Sequence, residues 1–195
     1  MSVLLLCLFT FLPLGAQSAK EVLDKAAAVV SAKSGCQASF TIKSDYMDTS
    51  GSIAIKDKKF HATTSQAVVW FDGKTQWTYV KKNDEVNVSN PTESQIQAIN
   101  PYHFIYMYKQ GYKYTMEKKN GSYVVHLTAT DQKKPVREAY LTLSQKTYAP
   151  TQIRMKQQKG WTTIGITAFK QAKLSDSLFR FNAKEFPTAE VIDLR

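Results

Sequence analysis

The chain has 195 residues, of which 43% are apolar and 12% aromatic, and a formal net charge of +10 at pH 7. This content supports one domain with a sizeable core, and no break in composition argues for two. The positive charge comes mainly from lysine pairs near predicted strand ends and turns. These pairs leave three interpretations open: a solvated surface, steering towards anionic membrane surfaces, or contact with nucleic acid.

The N-terminus is typical of a secretory signal peptide. An apolar run extends from Val3 to Leu14 and ends in small residues, which is too short to span a bilayer. We assign residues 1–17 to the signal and expect residues 18–195 to form one domain; export argues against nucleic-acid contact. Cys36 is then the one cysteine of the mature chain, so we expect no internal disulfide and a small buried hydrophobe at that position.

One helix and a series of strands follow. Ser18 and Glu21 match a capping box, and the apolar stripe behind them predicts an amphipathic helix that ends before Ser34-Gly35. The strongest hairpin signal is Asp72-Gly73, which lies between two aromatic and β-branched runs. Alternation and turn signals together predict about eleven strands, at 38–42, 53–55, 60–62, 68–71, 77–79, 85–89, 112–117, 123–129, 136–144, 151–156 and 161–169.

The stretch 90–111 is predicted to be helical instead. Asn90-Pro91 and Asn100-Pro101 each indicate a helix start, and Gly111 indicates the end. The apolar residues between them give each helix a face too large for an exposed connection. We interpret this helical pair as a lid over the mouth of a curved sheet, with an acyl ligand held between lid and sheet.

These elements predict an α+β fold that is mainly antiparallel β. Short loops favour an antiparallel meander, and twist makes a sheet of this many strands curl or close. Because the helix and the lid also need apolar surface to bury, we expect an incomplete, half-open β-barrel of about eleven strands, capped by the N-terminal helix and the helical lid. The tail aromatics Phe179, Phe181 and Phe186 are expected to staple the C-terminus to the sheet.

The sequence carries no recognisable catalytic, metal or cofactor motif. His61, His103 and His126 lie in different predicted elements, and none is at ligand spacing from Cys, Asp or Glu. A nucleophile elbow, a phosphate loop and a dinucleotide fingerprint are all missing. We therefore expect no enzyme, no metal and no cofactor, and we interpret Asp176 as a turn residue.

Apolar side chains are the remaining candidates for a site. The hypothesis is that lid residues cover an interior lined by alternating strand residues, and the competing interpretation is that the same side chains form an ordinary core. The strand positions are Phe40, Ile42, Val69, Phe71, Trp77, Tyr79, Leu141, Leu143, Ile164 and Ile166. The lid positions are Ile96, Ile99, Phe104, Ile105 and Met107.

Several motifs, in order along the mature chain, resemble the LolA family of periplasmic lipoprotein carriers. They are the run from Trp70 to Tyr79, Asn100-Pro101-Tyr102 after Pro91-Thr92, the segment from Thr142 to Thr151, and Asp176-Ser177-Leu178-Phe179-x-Phe181 followed by Pro187 and Glu190-Val191-Ile192-Asp193. The likeness is greatest to the lysine-rich branch found in Bacteroidetes-type bacteria.

This resemblance implies a periplasmic shuttle. Such a carrier accepts an acylated lipoprotein from an ABC-type release complex at the inner membrane, shields its acyl chains and passes it to an outer-membrane acceptor, most simply as a monomer. One position departs from the family pattern, because Lys56-Asp57 stands where the better-known branch has an Arg that reaches the lid. The alternatives are a binding module for another envelope lipid or glycolipid, a basic single-strand nucleic-acid binder and a secreted enzyme.

Overall fold

The computed structural model describes residues 17–92, residue 95 and residues 106–195. Short 3₁₀ turns lie at Met107–Lys109, Asp176–Phe179 and Ala183–Glu185. The helix and strands of this part are α1 (Ala19–Val30), β1 (Cys36–Ser44), β2 (Met47–Lys56), β3 (Lys59–Thr64), β4 (Ala67–Phe71), β5 (Gln76–Val80), β6 (Glu85–Ser89), β7 (Tyr112–Lys119), β8 (Ser122–Ala129), β9 (Val136–Ser144), β10 (Pro150–Gln157), β11 (Gly160–Gln171) and β12 (Glu190–Asp193).

All twelve strands belong to one open sheet in the order β12-β6-β5-β4-β3-β2-β1-β11-β10-β9-β8-β7. Every neighbouring pair is antiparallel except β12 and β6, which run parallel. The sheet does not close, since β12 and β7 remain at its two ends. The predicted half-open, mainly antiparallel architecture with an N-terminal helix is confirmed, with one short strand more than the eleven expected.

Two meanders, β1–β6 and β7–β11, meet at the centre of this sheet. β1 pairs with β11 along nearly its whole length, from Cys36 opposite Gln171 to Lys43 opposite Thr163. A bulge interrupts this pairing at Ala168, whose φ is 50°. Bulges bend a strand and increase its twist, so the sheet curves at the junction of the two meanders.

Helix α1 begins as predicted. The Ser18 hydroxyl accepts a hydrogen bond from the Glu21 amide, and the Glu21 carboxylate accepts one from the Ser18 amide. These reciprocal bonds satisfy donors that the first helical turn leaves free. The buried face of α1, which carries Val22, Leu23 and Val30, packs into the main core on one side of the sheet. We call this side the inner face and the opposite side the outer face.

The tail covers part of the outer face. The Phe179 side chain is fully buried against Ala54 of β2, and the Trp70 ring meets the rings of Phe181 and Phe186 edge-on at 5.6 and 5.5 Å between centroids. The expectation that tail aromatics staple the C-terminus to the sheet is confirmed. The chain then turns back as β12 and hydrogen-bonds to the edge of β6.

The predicted lid lies mostly outside the described residues, including Ile96, Ile99, Phe104 and Ile105. At its start, Thr92 and Gln95 exchange capping hydrogen bonds, whereas the Asn90 side chain accepts one from the Thr75 hydroxyl. The predicted cap at Asn90 is therefore wrong, and the cap lies at Thr92. No helix in the described part of the chain is both long enough and apolar enough to cross a membrane.

Candidate ligand-binding cavity

An apolar cavity of about 180 Å³ lies on the inner face, beside the C-terminal end of α1. It spans the junction of the two meanders, with β1, β2 and β3 on one side and β10 and β11 on the other. Gln37 is the one polar residue among the described lining residues, and its pairing with Ala54 places its side chain on the outer face. The lining consists of Val30, Cys36, Gln37, Ala38, Phe40, Ile42, Ile53, Ile55, Ala62, Pro150, Ile153, Ile164, Ile166 and Phe169.

Strand register explains why these side chains meet. Phe40 lies between Gly51 of β2 and Ile166 of β11. Ile42 lies opposite Ile164, which in turn lies opposite Ile153. Because side chains on neighbouring strands at paired positions share a face, each of these rows places apolar groups on the inner face.

Gly51 makes room for the Phe40 ring. A Cβ atom at Gly51 would lie 2.9 Å from Phe40 Cζ and 2.1 Å from the carbonyl oxygen of Thr63 on β3. Real Cβ atoms do not approach other atoms this closely. Any residue other than glycine would therefore require β2 to move away from β3. The close approach of the two strands therefore fixes part of the cavity wall.

The structure separates the predicted cavity residues into groups. Four of them, Phe40, Ile42, Ile164 and Ile166, line the cavity. Val69, Phe71, Leu141, Leu143 and Met107 lie in the inner-face core but outside the cavity lining, and Leu141 and Leu143 are almost completely buried there. For this second group the observed packing resembles the ordinary core that was the competing interpretation.

Trp77 and Tyr79 lie on the outer face, so the prediction that they line the interior is wrong. Trp77 pairs with Trp70, whose ring contacts the tail, and the Tyr79 ring packs 4.6 Å from that of Phe186. The Tyr79 hydroxyl donates a hydrogen bond to Asp84. Trp77 and Tyr79 form the apolar face of β5, and the tail covers this face, whereas the inner face of β5 carries Gln76, Thr78 and Val80.

Several lining residues were not among the predicted site positions. Ile53 and Ile55 share the inner face with Phe40 by register, and Ile153 does so through Ile164. Because side chains alternate between the two faces of a strand, one known inner-face residue in β2 or β10 would have assigned these positions to the inner face. Phe169 follows the bulge at Ala168, which shifts the alternation of β11 and hides this position from a simple period of two.

Cys36 lies in the cavity wall and is buried, which confirms the predicted burial of this residue. Its thiol donates a hydrogen bond to the Val30 carbonyl oxygen at 3.4 Å. Burial in apolar surroundings raises the pKa of the Cys36 thiol to about 11. At neutral pH the group is therefore an uncharged, small apolar side chain that leaves the cavity without a charge.

The basic residue that departs from the family pattern has another partner. Lys56 Nζ donates hydrogen bonds to the Leu174 carbonyl oxygen at 2.8 Å and to Asp176 at 2.9 Å, and Lys59 Nζ lies 3.1 Å from the same carboxylate. Hydrogen bonds from the two lysines hold the pKa of Asp176 below its usual range. Asp176 is thus more than a turn residue, and Lys56 fastens the tail to the sheet.

The two histidines of the described part lie apart, each stacked on an aromatic ring of the outer face. His126 Nε2 lies 2.9 Å from Glu138, and its ring stacks on Tyr140 on the outer face. His61 stacks on Trp70, and desolvation lowers its pKa. Among the residues that the structure describes, no three His, Cys, Asp or Glu side chains are grouped to hold a metal ion.

Comparisons with known proteins agree with this architecture. The solved structure of an uncharacterized conserved protein from Thermus thermophilus superposes with a TM-score of 0.63 at 13% identity, covering 91% of this chain and 99% of the other. MucB superposes with a TM-score of 0.52 at 13% identity, covering 87% of this chain and 64% of MucB. At these identities the likeness concerns the fold alone.

Sequence comparison is more specific. No curated protein matches the chain. The family model described as outer membrane lipoprotein carrier protein LolA matches residues 8–159, which is well over half of the chain. The chain therefore belongs to the LolA family of outer membrane lipoprotein carrier proteins.

Proposed function

We propose that this protein is a periplasmic carrier that shields acyl chains of lipoproteins in the inner-face cavity and moves them from the inner to the outer membrane. The observation that carries the proposal is a cavity with an almost wholly apolar lining in a member of this family. Its partners would be acylated lipoproteins, an ABC-type release complex at the inner membrane and an outer-membrane acceptor. As a shuttle it would act as a monomer.

The cavity volume constrains how cargo is held. An apolar cavity of about 150 Å³ stays dry and admits a molecule the size of benzene. The cavity of about 180 Å³ therefore holds a short stretch of one hydrocarbon chain, not several complete chains. Loaded and unloaded forms must differ in shape, and in this proposal the residues that uncover the cavity are the predicted lid positions Ile96, Ile99, Phe104 and Ile105.

The free energy needed to open the protein also lowers its affinity for the acyl chains of the cargo. Each buried methylene contributes about 0.8 kcal/mol, so burial of ten would contribute roughly 8 kcal/mol and would make release slow. If part of the free energy gained by burying the chain is used to separate apolar surfaces that touch in the unloaded form, the net affinity is lower and the cargo can be released to the next protein. At the C-terminal end of the predicted lid, Tyr108 donates a hydrogen bond to Asp24 of α1, and Met107 is buried in the inner-face core, so this end is fixed to the rest of the domain.

A second candidate function is a binding module for another envelope lipid or glycolipid. The small cavity favours it, because a single chain fits this volume better than the several chains of a lipoprotein. The two functions differ in what the protein removes from a membrane. A carrier extracts acylated protein, whereas the binding module extracts lipid alone.

Addition of the purified mature protein to spheroplasts of its host tests the proposal. We expect acylated lipoproteins in the supernatant, and no release of a control lipoprotein whose acylated Cys is replaced. The variant Ala62→Ile, which fills the cavity, should abolish release, whereas Thr63→Ile, at the next position but on the opposite face of β3, should not. Extraction of lipid without protein would favour the binding module, and release that is equal for both variants would contradict the cavity as the site.

A further inference from the structure

Two neighbouring hairpin tips carry exposed apolar side chains. The tip between β1 and β2 presents Tyr46 and Met47, which are 54% and 46% exposed. It lies against the tip between β10 and β11, where Lys159 Nζ is 5.8 Å from the centroid of the Tyr46 ring. Two adjacent large apolar groups with this exposure need an explanation, because their contact with water raises the free energy of the folded protein.

Cations and a tryptophan continue this surface along the outer face. Arg154 stacks over the Trp161 ring at 4.3 Å from its centroid, and Lys156 Nζ lies at 5.8 Å. Asp45 and Asp48 are the acidic residues of the adjoining β1–β2 tip. Amphipathic aromatic rings surrounded by Lys and Arg are typical of protein surfaces at the level of lipid headgroups.

The same tip lies at one end of the cavity. Met47 pairs with Ser44, so both extend the inner-face row of β1 that contains Phe40 and Ile42. Ile42 and its partner Ile164 are the lining residues closest to this end. On this face Ser44 and Thr49 are the positions between the exposed Met47 and Ile42 at the cavity wall, so the tip and the cavity are one residue pair apart.

We propose that this hairpin-tip patch docks on an anionic lipid surface and orients the end of the cavity towards the membrane. Tyr46 and Met47 enter the headgroup layer, Trp161 lies at its boundary, and the cations bind lipid phosphates. Two features combine: the net charge of +10 attracts the chain to an anionic surface, and the apolar tip selects which end makes contact. The patch comprises Tyr46, Met47, Arg154, Lys156, Lys159 and Trp161. This inference deepens the proposed function by naming the surface that would meet the membrane.

Vesicle flotation tests the docking directly. The mature protein should float with vesicles of phosphatidylglycerol and phosphatidylethanolamine, and much less with phosphatidylcholine alone. The double variant Tyr46→Ser/Met47→Ser and the variant Lys159→Glu should each weaken binding by about tenfold or more. Matched controls at the opposite end of the strands are Leu194→Ser, which removes an apolar group that is 63% exposed, and Lys146→Glu; both should bind as the wild type does.

The outcomes separate this docking from cargo binding. Uptake of a fluorescent fatty acid in solution should be unchanged in the tip variants, since neither Tyr46 nor Met47 lines the cavity. Wild-type protein that stays with the soluble fraction, or control variants that lose as much binding as the tip variants, would overturn the docking proposal. Absence of fatty-acid uptake in the wild type would instead contradict the carrier proposal and leave the docking result standing.

Discussion

Filling the cavity should make the unloaded protein more stable while removing the proposed ligand site. An unfilled apolar cavity costs about 24 cal/mol per Å³ relative to a packed core. Because this cavity is partly open, its volume of about 180 Å³ sets an upper limit of about 4 kcal/mol on the stability that the unloaded fold loses. Such a cost is informative, because an ordinary core has no reason to keep the space empty.

Ala62 is the position at which to fill it. Its side chain points into the cavity from β3, between Ile53 and Val69 on the neighbouring strands. Ala62→Ile adds three carbons and a β-branched side chain that suits a strand. At about 0.8 kcal/mol for each carbon, less some strain, we expect about 2 kcal/mol of added stability and a melting temperature raised by about 6 °C.

Urea unfolding and a fatty-acid titration on the same protein preparation measure both effects. Ala139→Ile is the matched control, because Ala139 is fully buried in the inner-face core away from the cavity and should lose about 1–3 kcal/mol through overpacking. Equal destabilisation by both substitutions would refute the existence of usable space at Ala62. Higher stability with undiminished fatty-acid uptake would place the ligand elsewhere.

Three further changes test other parts of the structure. The Cys36 thiol should react with a maleimide at pH 8 about a hundredfold more slowly than an exposed cysteine. The rate of this reaction should increase as the pH rises towards the pKa of about 11, and it should decrease further when a fatty acid is bound. Because its folded-state pKa is lowered by two lysines, Asp176 contributes stability that is present at neutral pH and begins to be lost as pH falls below about 4. The difference between the urea midpoints of wild type and Asp176→Asn should therefore be greatest near pH 7 and should shrink as the pH is lowered below about 4. Gly51→Ala should lower the free energy of unfolding by about 3 kcal/mol, since the new Cβ would lie 2.1 Å from a β3 carbonyl oxygen, and a wild-type urea midpoint would contradict the close approach.

Local sequence signals predicted the elements well. The capping box at Ser18 and the Asp72-Gly73 turn each depend on a few adjacent residues, and both lie where they were expected. The twelfth strand was missed because Glu190–Asp193 is short and pairs in parallel with a strand about a hundred positions earlier, without a hairpin turn to announce it. A partner this distant leaves no local pattern.

The candidate site was predicted only in part, because alternation shows that two faces differ without showing which one is inside. Phe40 and Ile164 lie on the cavity wall, where the alternation of their strands placed them, and their contact with a ligand stays a prediction. Trp77 and Tyr79 were assigned wrongly, since the apolar face of β5 is the outer one, which the tail covers, while its inner face carries Gln76, Thr78 and Val80. Whether Leu141 lines a cavity or fills a core depends on where α1 lies, which is a tertiary property.

The central pairing of β1 with β11 has a consequence for the order in which the molecule acquires its activity. It joins position 36 to position 171, a long loop closure that waits until nearly all of the chain has been synthesised. Each meander can assemble from local hairpins, yet neither encloses the cavity alone, because its walls come from both. Under the proposed function, folding and loading therefore occur in sequence: an incomplete chain would have nowhere to hold an acyl group, and uptake of a ligand would report that the last long-range pairing has formed.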